Sequence, residues 1–328
     1  MNETTRVLLQ ECRLEPVLME VGATDRPPEL WNSLAPFSTY IGIGSAPGMT
    51  DAPSFKNCKL FKQVVVSDAH AGDLTFYETQ DPVYSGVLRP DAAGLSDYYE
   101  LSRDLNVTHT HTTAGTSIST LVELESISYV DWFKTNVNGV DRRVYESLPV
   151  TIRNRVLAVD TVVDLVPLCE DQDDTFLSHP QLISEGFWLS SLTPCGSVRL
   201  RASSCEDLKR RGLSRVVDCL TYRQRRSPLW AFVRYFRTLA YLAEGEFSER
   251  DYEVLWCFAF ADGQYGFCLD IALEYERRFG KCETSAIMLQ GATQESMKVD
   301  NNPAIVRLAK RVLPPRLKRA IKELIRKD

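Results

Sequence analysis

The run Arg155-Val-Leu-Ala-Val-Asp-Thr-Val-Val163 constrains this chain more than any other stretch. It is β-branched and almost continuously apolar, and a strand without a polar face has to be covered on both sides. Such a strand sits inside a sheet packed by helices on either face, which predicts an α/β domain with a mainly parallel sheet. Four further runs fit that sheet: Pro16–Met19, Thr39–Ile43, Tyr129–Phe133 and Gly186–Ser190. Between them, Asp25 with Pro27-Pro28-Glu29 opens a helical turn carrying Trp31, Leu34 and Ala35, while Arg142–Leu148 and Asp174–Ser184 read as helices. Phe61–Val66 and Asp73–Tyr77 read as a hairpin turning over residues 68–72. Ligands of open α/β sheets bind outside the carboxyl ends of the strands. That points to the turns after Glu20, Ile43, Val66, Phe133 and Val163.

The 328 residues exceed one typical domain, and the character of the chain changes near residue 195. Residues 1–195 form the α/β body. Residues 196–226 are arginine-rich and read as a crossover, and 228–280 read as a helical module from the spacing of Trp230, Val233, Phe236 and Leu239. Together, 196–283 make a crossover and helical module, and 284–328 a polar linker followed by a basic amphipathic tail. The net charge of −6 divides into +7 on residues 305–328 and −13 on the rest. An acidic body argues against a nucleic-acid partner. The tail reads either as a helix docking its apolar stripe on the body or as a contact with an anionic membrane surface or acidic partner. Nine cysteines without a CxxC pair, behind a polar start, suggest a reducing cytoplasmic compartment, with the tail reaching at most the inner face of the membrane.

Three segments carry candidate chemistry. The Glu20-Val-Gly-Ala23 turn brings a glycine after the first strand, where backbone can approach a nucleotide-like cofactor closely or simply turn. Lys134-Thr-Asn136-Val-Asn138-Gly139 places a lysine and two amides at a strand end, which orients a polar substrate or forms a plain Asn-Gly turn. His109-Thr-His111 alternates like a strand and puts two imidazoles on one face; without a third ligand it reads as exposed strand rather than metal site. Neither GxGxxG nor GxxxxGK[ST] occurs, so dinucleotide and P-loop readings lose their support.

Taken in order, these segments resemble the FkbM family of S-adenosylmethionine-dependent methyltransferases. Glu20-Val-Gly-Ala-Thr24 with Pro27-Pro28 and Trp31 is similar to the family's first motif, and Val64-Val-Val-Ser-Asp68 with Thr75-Phe-Tyr77 to its third-strand segment. Asp131 to Asp141, Leu165-Val-Pro-Leu168 and Gly186-Phe187 resemble three later motifs, and coverage runs over about residues 14–280. The resemblance implies a Rossmann-like methyltransferase sheet with a C-terminal helical extension. It also implies an S-adenosylmethionine cofactor lined by Glu20, Gly22, Ala23 and Thr24, with Asp68 toward the adenosine. Lys134, Asn136 and Asn138 would position a small-molecule or glycan hydroxyl for O-methylation, and no metal is implied. The chain departs from the family where an acidic residue after the second strand gives way to Gly44-Ser45, and where Asn136, Asn138 and Asp141 stand for Asp, Gln and Glu. Those departures also fit a methyltransferase-like binding or scaffold protein that has lost catalysis.

Overall fold

The computed structural model describes residues 3–24, 26–44, 52, 54–223 and 226–298. Its strands are β1 (Val17–Val21), β2 (Thr39–Gly44), β3 (Asn57–Lys62), β4 (Val64–Val66), β5 (Gly72–Thr79) and β6 (Val107–Ser117). They continue with β7 (Trp132–Thr135), β8 (Ala158–Asp164), β9 (Phe187–Ser197) and β10 (Ser227–Arg237). Among the described residues the central sheet has seven strands, ordered β3-β2-β1-β7-β8-β10-β9. The pairs from β3 to β8 are parallel, and β10 runs antiparallel to both of its neighbours. This is a Rossmann-like α/β sheet whose chain reverses its order between β1 and β7.

The apolar run around residue 160 becomes β8, flanked on both sides as its composition requires. The charge in its middle is matched inside the sheet. Asp160 lies beside Arg234 of β10, which donates Nε–H and Nη2–H to the carboxylate at 2.8 and 2.7 Å, and Trp132 Nε1–H donates at 3.0 Å. Such a bidentate pair offsets much of the desolvation of both charges. One core cluster, with Trp31, Trp132, Trp256 and Phe258, covers one face of the sheet; another, with Met19, Phe133, Val144 and Tyr235, covers the other.

Four local expectations change. Residues 227–237 are a strand: Leu229, Ala231, Val233 and Tyr235 are buried at period two, and apolar Trp230, Phe232 and Phe236 on the opposite face mimic a helical spacing. The β4 and β5 segments do not pair as a hairpin, because β6 inserts between them to give the order β4-β6-β5. Trp31 to Ala35 lie in 3₁₀ turns rather than an α-helix. The polar stretch beyond 284 is not a linker up to Met297: a helix spans Glu283–Met297, burying Met288 and Ala292. It docks so closely on the first helix, Glu3–Glu11, that a Cβ on Gly291 would meet Thr4 Cγ2 at 2.3 Å. The basic tail lies outside the described residues. Among the described residues no helix is long and apolar enough to cross a membrane.

At the amino edge of the parallel strands Arg237 is fully buried. Its guanidinium sits 3.8 Å from the Phe187 ring centroid and 4.2 Å from that of Tyr241. It donates to the carbonyls of Val156 and Arg153 at 2.7 Å each and to that of Glu185. Arg237→Ala removes a donor from three carbonyls, that of Val156 in a buried contact, and opens a void, so chemical denaturation should show a loss of about 3 kcal/mol or more.

Candidate functional site

At the carboxyl edge, where the chain reverses, three turns meet backbone to backbone. Gly22 and Ala23 both donate their N–H to the Ile43 carbonyl at 2.8 and 2.9 Å, and Asn136 N–H donates to the Val21 carbonyl at 2.9 Å. Gly22 has φ +84°, and a Cβ there would lie 2.0 Å from the Asn136 carbonyl oxygen. Gly44 is equally confined, since its Cβ would stand 2.5 Å from the Ala23 carbonyl oxygen. Only glycine fits either contact.

Above these turns lies a cavity of about 700 Å³, a volume usual for small-molecule sites. Its floor is Gly22, Ala23, Thr24, Ile43, Gly44 and Asn136 to Asn138. Gln63 to Val65 close one end, the segment from Pro82 to Val87 closes the other, and the second sheet roofs it with Phe76, Glu78, His111 and Thr113. On the roof His111 Nδ1 lies 3.5 Å from Glu78 Oε1, and the rings of His109 and His111 stack at 6.0 Å. Among the described residues no group of three or more His, Cys, Asp or Glu side chains is arranged to hold a metal ion.

Five of the eight residues singled out in the sequence, Gly22, Ala23, Thr24, Asn136 and Asn138, share this cavity wall. Glu20 and Lys134 do not line it. They are cross-strand neighbours on β1 and β7, and the Lys134 ammonium binds the buried Glu20 carboxylate beneath the floor. Tyr40 of β2 donates its hydroxyl to the other carboxylate oxygen at 2.7 Å; burial, then the Glu20 charge, raises the pKa of that phenol, so it stays a donor. Asp68 is exposed in a 3₁₀ turn outside the cavity wall, accepting from Ser119 Oγ, while its own N–H donates to Ser147 Oγ at 3.1 Å.

The two amides differ in availability. Asn138 has φ +51°, and its Nδ2 donates to the carbonyls of Ser85 at 2.9 Å and Val83 at 3.1 Å, fixing the cavity's end wall. The Asn136 side chain makes no hydrogen bond among the described residues and faces the cavity.

An acidic group beside the floor was not singled out from the sequence as a site. Asp141, wholly buried, accepts from its own turn at Val137 N–H (3.3 Å), and Asp164 closes β8 next to Gly139. Burial, then the charge of Asp164, pushes the Asp141 carboxyl up to about 7, and burial, then Asp173, pushes Asp164 up to about 6. The signal for Asp164 in the sequence is only its position at a strand end, whereas Asp141 falls where the motif it resembles carries a glutamate.

Asp141 takes up its proton in the folded protein far above the ordinary value of 3.8. The unfolded chain therefore ionises first, and stability falls as pH rises from about 4 to about 7, by up to roughly 4 kcal/mol. Denaturation at stepped pH should show this decline, and Asp141→Asn should reduce it to the part that Asp164 contributes. No protein-family model, no curated protein and no solved structure matches this chain.

Proposed function

We propose that this chain is an S-adenosylmethionine-dependent O-methyltransferase acting on a hydroxyl of a glycan or related metabolite. The observation that carries the reading is the cavity at the point of chain reversal, floored by the glycine turn after β1 and an unengaged amide after β7. The residues fit the cofactor in part. The Gly22 cradle allows close backbone approach, whereas the end of β2 at Gly44 leaves no room for a side chain, and among the described residues Glu78 of the roof is the carboxylate in the cavity wall.

S-adenosylmethionine, when bound, supplies a methyl group on a sulfonium for in-line displacement by the acceptor oxygen. The chain has to hold that oxygen in line and accept its proton. Asn136 offers an amide with both donor and acceptor capacity for orientation. The Glu20 and Lys134 charges cancel beneath the floor, so the floor presents no net positive charge from this pair to a cationic ligand. His111 in the roof brings an imidazole, whose ring nitrogens can donate or accept a hydrogen bond, with Glu78 beside it. The nine free thiols fit a cytoplasmic setting. The basic tail would add a salt-sensitive contact with anionic membrane.

A second reading, a binding or scaffold protein of the same fold, draws on Glu20, Lys134 and Asn138 being engaged in structural contacts. Calorimetric titration with S-adenosylmethionine tests the first reading. Binding is expected in wild type and in Asn136→Ala alike, whereas an acceptor that wild type methylates should bind Asn136→Ala about tenfold more weakly through loss of a hydrogen-bonding group. No heat at millimolar ligand rejects it, and binding without transfer to any glycan acceptor leaves the scaffold reading.

A further inference from the structure

A second cavity, of about 610 Å³, opens on the same edge of the sheet, where β9 ends and β10 begins. The two cavities share a wall. Pro82, Val83, Ser85 and Gly86 face the first, and Tyr84, in the same segment, faces the second. Across from Tyr84 stands Trp230, the ring centroids 6.3 Å apart and nearly perpendicular. Two carboxylates line the space and each is already engaged: Glu100 accepts from Ser197 Oγ at 2.9 Å, and Asp104 accepts from Arg103 Nε at 2.9 Å. Each keeps lone pairs for further donors. Arg226 adds a guanidinium to the lining, and the Tyr84 hydroxyl makes no hydrogen bond among the described residues. Burial, then the charge of Asp104, raises the phenol's pKa, so it remains a donor.

These groups define a ligand class. Aromatic faces take up the C–H surfaces of a ring, and carboxylates, hydroxyls and a guanidinium take up its hydroxyl groups. Within the lining two carboxylates stand against one guanidinium, and Arg103 pairs with Asp104 from outside it, so the charges around the space largely offset one another. We propose that this second cavity is an acceptor subsite that holds a neutral sugar unit remote from the reacting hydroxyl. The assignment rests on the methyl-transfer reading for its role. Remote contacts of this kind are what an enzyme uses to fix the reacting end of a large substrate.

The test places the full-length chain on a glycan array of neutral glycans with their sialylated and sulfated counterparts. The strongest neutral glycan is then titrated calorimetrically into wild type, Glu100→Gln and Tyr84→Ala, each checked by thermal melting. Neutral glycans should bind, at least tenfold more weakly to both variants, with S-adenosylmethionine affinity unchanged in Glu100→Gln. No neutral glycan bound, preference for the anionic counterparts, or an affinity that neither variant changes overturns the proposal. If a neutral glycan binds in this way but S-adenosylmethionine does not bind wild type, the methyl-transfer reading fails, and the acceptor role falls with it.

Discussion

A carboxylate buried at the end of the first strand needs a cation in reach, and much of the carboxyl edge is arranged around that need. Glu20 is met by Lys134 from β7 and by Tyr40 from β2, so one charge ties together the three strands on which the chain reverses direction. Removing one partner of a buried pair leaves an uncompensated charge, which costs far more than the pair contributes. The register that this pairing accompanies also sets Gly22 against the Asn136 carbonyl, and hence the shape of the cavity floor.

The second sheet completes what the first leaves open. Strands β5 and β6 roof the floor with mostly polar side chains, and β5 leads into the segment that Asn138 holds. The ligand-facing surface is thus assembled from the backbone of the central sheet and side chains of the smaller one. Rigid elements supply the floor, while the end wall is held by Asn138 together with the Tyr77–Gly86 backbone pair and the Thr79 N–H donated to Ser85 Oγ.

How far the sequence revealed this depends on whether a feature is local. The β8 run announces its own burial, and the Asn-Gly turn after β7 announces itself through residues that tolerate positive φ. β10 misleads because both of its faces are partly apolar, so a period of two is overlaid by one near three. The insertion of β6 between β4 and β5 joins segments some fifty residues apart, and no local pattern encodes it. Glu20 and Lys134 stand far apart in the sequence, and only the cross-strand register brings them face to face. Asn136 and Asn138, two residues apart, divide into a cavity-facing amide and a structural clamp because the backbone turns left-handed at the second.

The buried Arg237 gives the molecule an asymmetry between its two ends. Its acceptors are peptide carbonyls, which do not ionise, and although burial lowers its own pKa, an arginine starts far above the physiological range. The contacts of Arg237 at the amino edge are therefore indifferent to acidity. The opposite edge carries Asp141 and Asp164, whose protons leave between mildly acidic and neutral pH. Rising pH through that range accordingly acts on the edge that carries the cavities, while the grip of Arg237 on its carbonyls is unchanged.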